Sequence, residues 1–233
     1  MKKNSKSTSP GQKPATEIAF ILDRSGSMGA HAAAAIGGFN EFLAEQQGVE
    51  GFARLTLVLF DDVLETPLDN IPLCEVVPLD ASTYTTRNTT ALLDAIGLTI
   101  ESFDQRIAAL PLASRPVQVI FAIFTDGLEN ASSRYTWKDL AAKIKERQEK
   151  EGWQFLFLAA NQDAIATAAQ MNILAQNSAT ASYTDEGVQG SARALSRKTK
   201  AIRESLEAEG PMFLSEDLNR PMGEILREEE GRE

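Results

Sequence analysis

The chain has one cysteine, Cys74, and one histidine, His31, in 233 residues. A single cysteine excludes an internal disulfide and points to a reducing compartment. A single histidine argues against a histidine-based zinc site and against a His-based catalytic triad. Basic residues are in deficit: 23 Lys and Arg against 33 Asp and Glu leave a formal net charge of −10. That balance argues against nucleic acid as the main partner, because phosphate binding needs clustered Lys and Arg, and it is compatible with binding a cation. No run approaches the ~18 apolar residues of a membrane-spanning helix. The first residues lack the apolar core of a secretory signal. No G-x-G-x-x-G follows any strand, so a dinucleotide site is not expected. No internal repeat is visible.

What is present is a 43% hydrophobic composition, enough for a real core. The expected layout is a disordered leader over 1–16, one folded domain over 17–208 and a C-terminal extension over 209–233. The leader carries four lysines among Ser, Pro and Gly. The extension mixes Met212, Phe213, Leu214, Leu218, Met222, Ile225 and Leu226 with acids and ends Glu228-Glu229-Glu230-Gly231-Arg232-Glu233. The expected location is cytoplasmic, with no membrane contact.

Ile18 to Leu22 is apolar on both faces and runs into Asp23-Arg24-Ser25-Gly26-Ser27-Met28. A short run of that kind reads as a strand buried on both sides in a parallel sheet. In open α/β sheets ligands bind at the carboxyl ends of the strands. Asp23, Ser25 and Ser27 alternate, so an extended segment turns all three toward one point. All three offer oxygen, the ligand of hard cations. The competing reading is a strand-to-helix turn in which Ser and Gly cap the next helix.

Downstream, the pattern predicts a helix over 30–47, with Gly37-Gly38 marking a close helix–sheet approach. Strands follow at 54–60 and, as a hairpin, at 63–67. Residues 71–79 read as an edge strand or loop, with Cys74 as a small apolar residue. Asp61 and Asp62 read as turn residues or as ligands. A helix is expected over 91–110, a strand over 117–124, a capped helix over 136–150 and a strand over 153–158. A short helix at 164–171 with Asp163 as N-cap, an edge strand within 177–183 and a helix carrying Val188, Ala192, Leu195, Thr199, Ile202 and Leu206 complete the set. His31 opens the first helix, as a cap or on the rim of the site. Thr90 stands at the mouth of the 91–110 helix, as N-cap or with its hydroxyl toward the same cation. The 117–124 strand ends in Thr125-Asp126-Gly127, a second buried strand ending in an aspartate. Glu129 and Asn130 are expected on the rim. Two acids, two serines and a threonine at one sheet edge suit Mg²⁺ with waters left over.

The order D-R-S-G-S-M, T-A-L-L-D-A-I, F-T-D-G-L-E-N within alternating strands and helices resembles the von Willebrand factor A domain, over roughly residues 16 to 208 and most closely the stand-alone intracellular bacterial type. The resemblance implies an α/β, Rossmann-like doubly wound fold: a mostly parallel sheet flanked by helices, with one antiparallel edge strand. It implies a metal-ion-dependent adhesion site with Asp23, Ser25, Ser27, Thr90 and Asp126 as the ligands of Mg²⁺, or of Mn²⁺ or Ca²⁺ in its place. It implies a binding module rather than an enzyme, with an open coordination position for a Glu or Asp carboxylate of a protein partner such as an AAA+ ATPase or a kinase/phosphatase. Asn88-Thr89 stands where many relatives have glycines. The rival class is a HAD-like metal-dependent phosphohydrolase, but its motif needs an aspartate two residues after the first, where this chain has Ser25. A further expectation is that the Glu-rich end reaches the metal site of its own or a neighbouring chain and mimics the partner's carboxylate.

Overall fold

The computed structural model describes residues 16–160, 163–206 and 215–231. The leader, except Thr16, lies outside them, as do residues 207–214 and 232–233.

Strand β1 (Thr16–Asp23) is buried along its whole length. Ile18, Phe20 and Leu22 enter the core on one face of the sheet, while Ala19 and Ile21 enter the core on the other. That alternation is why the run shows no polar side. A 3-10 turn at Gly26–His31 leads into α1 (Ala32–Gly48). Then come β2 (Ala53–Phe60), β3 (Leu64–Pro72), α2 (Leu92–Ala109), β4 (Gln118–Thr125), α3 (Trp137–Glu151), β5 (Gln154–Ala160), α4 (Ala164–Gln170), β6 (Ser178–Ala181), α5 (Asp185–Glu204) and α6 (Met222–Glu230).

The six strands form one sheet in the order β3-β2-β1-β4-β5-β6. β3 pairs antiparallel with β2, and the other pairs are parallel. This is the expected doubly wound α/β sheet with its antiparallel edge. α1, α5 and α6 cover one face, and α2, α3 and α4 the other. The order reverses between β1 and β4, and there the crossovers leave a crevice at the carboxyl ends. Leu22 pairs with Phe124, so Asp23 and Thr125 end neighbouring strands at the same level.

Several details depart from the sequence expectations. β3 extends to Pro72, well beyond the short 63–67 run, because Arg54 and Asn70 tie the two strands together by side-chain bonds. Cys74 is exposed rather than apolar filling. Gly38 marks a helix–helix contact, not a helix–sheet one: a Cβ there would stand 2.8 Å from the Ala192 Cβ on α5. Leu206 is exposed, although the rest of its stripe on α5 is buried.

The C-terminal segment is part of this packing. Met222, Ile225 and Leu226 are buried in the same core as α1 and α5. Glu229 is buried and meets Arg197 at 2.8 Å and Arg193 at 3.3 Å. Glu228 meets Arg197 and Arg220, and Glu230 accepts the Ser182 N–H at 2.8 Å. The buried Lys198 ammonium donates to the carbonyls of Asp217, Leu218 and Arg220, which fastens the turn before α6. Glu228, Glu229 and Glu230 are therefore engaged on α5, its loop and the turn before α6 rather than at this chain's own crevice, and Glu233 lies outside the described residues. Arginines facing an acidic helix decide this, and a local reading of the tail does not find them.

Candidate metal-binding site

The crevice is built from three connections. β1 delivers Asp23, and the turn after it carries Ser25 and Ser27. The loop before α2 delivers Thr90, and the end of β4 delivers Thr125, Asp126 and Gly127.

Asp23 is fully buried. Its Oδ1 accepts the Ser25 N–H at 2.7 Å and its Oδ2 accepts the Thr125 hydroxyl at 2.5 Å. The Ser25 and Ser27 hydroxyls are 3.1 Å apart, and Ser27 donates to Asp126 Oδ1 at 2.7 Å. One chain of hydrogen bonds thus joins Asp23, Ser25, Ser27 and Asp126. Thr90 closes the opposite wall. A Cβ added to Gly127 would lie 2.8 Å from Thr90 Oγ1 and 3.6 Å from each of the Ser25 and Ser27 hydroxyl oxygens. Three hydroxyls therefore converge on a small space that only a glycine leaves open. The structure brings all five candidate residues to one crevice.

The electrostatics are those of two carboxylates in one buried crevice. Burial pushes Asp23 up to about 6, against the pull of Thr125 and Ser25, and the nearby Asp126 adds to the rise. Burial likewise raises Asp126 above the usual carboxylate range, with Ser27 pulling it down. Asp126 Oδ2 is buried and makes no hydrogen bond. The Tyr183 hydroxyl is near enough to lower the Asp126 carboxyl slightly, but its well-formed bond goes to a carbonyl, described below. A desolvated carboxylate oxygen without a partner is costly unless something positive supplies one. The donor set of carboxylates and hydroxyls is all oxygen, which fits a hard divalent cation. No group of three or more His, Cys, Asp or Glu side chains among the described residues could hold a metal. The crevice offers two carboxylates and three hydroxyls.

The remaining candidates have other work. Thr90 does not cap α2, since Ala91 holds that position without a side-chain bond. Its own N–H donates to Asn130 Oδ1 at 2.9 Å, which leaves the hydroxyl to the crevice. Glu129 accepts the N–H groups of Leu93, Ala131 and Ser132 and the Ser132 hydroxyl, so it ties the loop to the start of α2 instead of facing a ligand. Asp61 is buried and pairs with Arg87 at 2.8 Å and Arg24 at 3.8 Å while accepting the Val63 N–H. Asp62 is exposed and accepts from the Asn88 side chain. In the loop before Thr90, the Asn88 carbonyl accepts the Gly26 N–H at 2.9 Å and holds the Ser25–Ser27 turn through its backbone.

Three side chains that reach the crevice were not singled out from the sequence. Thr125 orients Asp23. Tyr84, buried in the loop after β3, donates its hydroxyl to the Asp23 carbonyl at 2.6 Å. Tyr183, between β6 and α5, donates to the Ser27 carbonyl at 2.9 Å. Thr125 had a signal in its place beside Asp126. The tyrosines had none, because they come from loops 61 and 156 residues away.

Comparison with solved structures agrees with this topology. Proximal thread matrix protein 1 from the mussel byssus superposes with a TM-score of 0.54 at 15% identity, over 81% of this chain and 46% of that one. The same protein with a zinc-occupied MIDAS motif gives 0.53 at 15% identity, over 79% and 46%. The ArnB paralog VWA2 from Sulfolobus acidocaldarius gives 0.50 at 17% identity, over 81% and 46%. The fold is the von Willebrand factor A fold. This chain spans a little under half the length of each of those neighbours. No family model matches the sequence, and no curated protein matches it either. In the A fold seen here, the crevice between β1 and β4 carries the five oxygen-bearing side chains, and no described helix is long and apolar enough to cross a membrane.

Proposed function

We propose that this chain is a divalent-metal-dependent protein-binding module of the stand-alone intracellular bacterial kind. Asp23, Ser25, Ser27, Thr90 and Asp126 hold Mg²⁺, or Mn²⁺ or Ca²⁺ in its place, and an acidic residue of a partner protein completes the site. The observation that carries the reading is the unpartnered, buried Asp126 Oδ2 beside three hydroxyls that converge in front of Gly127. A bound cation supplies the positive charge that these desolvated carboxylates lack and an open position for one more oxygen. The residues of the chain do the rest. Thr125 and the Ser25 N–H hold Asp23 in one orientation, and Ser27 holds Asp126. Gly127 keeps the crevice clear.

The module is proposed as a cytoplasmic adaptor or regulatory subunit, acting by binding and not by catalysis. Its partner class, an AAA+ ATPase or a kinase/phosphatase, follows from the resemblance drawn on the D-R-S-G-S-M and F-T-D-G-L-E-N motifs. Affinity capture from lysate in Mg²⁺ and in chelator, with Asp23→Ala as control, tests the reading. A protein retained only with Mg²⁺ and intact Asp23 supports it. Capture indifferent to both rejects it.

A further inference from the structure

Tyr183 stands on the rim of the crevice, and three separate contacts fix it there. Its hydroxyl donates to the Ser27 carbonyl at 2.9 Å. Its ring meets the His31 ring edge-on, with centroids 4.7 Å apart and planes at 82°. His31 Nδ1 in turn lies 2.6 Å from Asp185 Oδ1, on the first turn of α5. The loop is pinned on both sides of the tyrosine as well. Glu230 accepts the Ser182 N–H, and the Thr184 side chain caps α5 by accepting the Gly187 N–H at 3.0 Å. Yet Tyr183 remains 41% exposed. A large side chain held this firmly and still open to solvent is preorganised for something that arrives from outside.

The chemistry of that arrival follows from the proposed function, on which this inference rests. A carboxylate that gives one oxygen to a cation keeps a second oxygen, and that oxygen needs a donor once water is displaced. The tyrosine O–H sits beside Asp126 and Ser27, two of the five proposed ligands, and its well-formed hydrogen bond goes to the neutral Ser27 carbonyl. A charged acceptor competes well against a neutral one, because charge-assisted hydrogen bonds are roughly twice as strong.

We propose that Tyr183, positioned by His31 and Asp185, is a specificity-determining residue that donates its hydroxyl to the free oxygen of the incoming carboxylate. The metal selects an oxygen ligand, and Tyr183 selects one with a second acceptor alongside. His31 and Asp185 act through the tyrosine and are positioning residues.

The test uses Tb³⁺ in the metal site of the full chain and acetate as the carboxylate probe. Luminescence lifetimes in H₂O and D₂O under direct excitation count the bound waters, and acetate binding displaces them. The expected result is that Tyr183→Phe leaves Tb³⁺ affinity and the water count unchanged and weakens acetate by about tenfold, the loss of one hydrogen bond to a charged group. His31→Ala weakens acetate by less and adds nothing in the double variant, since both act through one side chain. Equal acetate affinity in Tyr183→Phe and the parent overturns the proposal. So does a loss of Tb³⁺ affinity in Tyr183→Phe, which would make the tyrosine a support of the metal site itself. Tb³⁺ binding that survives Asp23→Ala, or no Tb³⁺ binding at all, overturns instead the metal reading, and this proposal with it.

Discussion

The Thr125 hydroxyl donates to Asp23 Oδ2 at 2.5 Å, across the junction where the strand order of the sheet reverses. The two residues are 102 apart in sequence and both are buried. Thr125→Val keeps the shape of the side chain and removes the donor. The Asp23 carboxylate then loses one of its two hydrogen bonds in a desolvated place. The metal-free protein should lose about 1–3 kcal/mol of stability, the cost of a stranded buried acceptor. Denaturant unfolding in chelator measures it, and a difference within error would show that Asp23 does not depend on Thr125.

Gly127 is a second sensitive point, for space rather than bonding. An added Cβ would lie 2.8 Å from Thr90 Oγ1 and 3.6 Å from both serine hydroxyl oxygens. Gly127→Ala should weaken divalent-metal binding by about tenfold or more, since metal sites tolerate little displacement of their ligands. The fold should persist, because the methyl group enters the crevice and not the core. Calorimetric titration with Mn²⁺, paired with a thermal melt, separates the two effects.

Asp126→Asn should move stability in two directions. Burial holds the Asp126 carboxyl above its usual range, so its ionised form opposes folding at neutral pH. The amide keeps an oxygen to accept the Ser27 hydroxyl and removes the charge. In chelator the variant should therefore melt above the parent. In excess Mg²⁺ the order should reverse, because the parent gains about 2.7 kcal/mol at a concentration 100 times its Kd and the variant gains little. Melts with and without metal decide it, and an unchanged Mg²⁺ response would remove Asp126 from the ligand set.

Acid should loosen the two arginine-linked edges of the molecule. Arg24, with Arg87, holds Glu65 down to about 2, and Arg220, with Arg197, holds Glu228 down to about 2, both from 4.5. Folded pKa values below the unfolded value mean stability that is present above pH 4.5 and lost as the pH falls toward 2. Glu228→Gln should flatten part of that loss by starting slightly less stable than the parent near neutral pH, where exposed ion pairs contribute a small amount, and converging with it near pH 2. Unfolding midpoints across pH 2 to 7 in chelator test it, and identical slopes in variant and parent would mean that the Glu228 pairs add nothing.

Five side chains of the crevice were legible in the sequence. Asp23, Ser25 and Ser27 follow a run that is apolar on both faces, and Asp126 follows another. Two buried parallel strands must end at a common edge, so their carboxylates had to be near each other. Thr90 was legible as one of two alternatives, and the placement of Ala91 at the helix start removes the N-cap alternative. Glu129 misled because an acidic residue in a loop looks the same whether it faces a ligand or a helix start, whereas Asp61 is the turn residue its place after a strand predicts, accepting the Val63 N–H.

The sequence by itself determined the doubly wound sheet and its oxygen-rich edge, because periodicity and strand-end composition are local properties of the chain. Only the tertiary structure decided that Tyr84 and Tyr183 reach the crevice, that Gly38 is pressed against Ala192, and that Glu228, Glu229 and Glu230 fold back on Ser182, Arg193, Arg197 and Arg220. Each of these joins residues far apart along the chain. Local pattern shows that a side chain will be buried or charged, while its partner is chosen by which distant element packs against it.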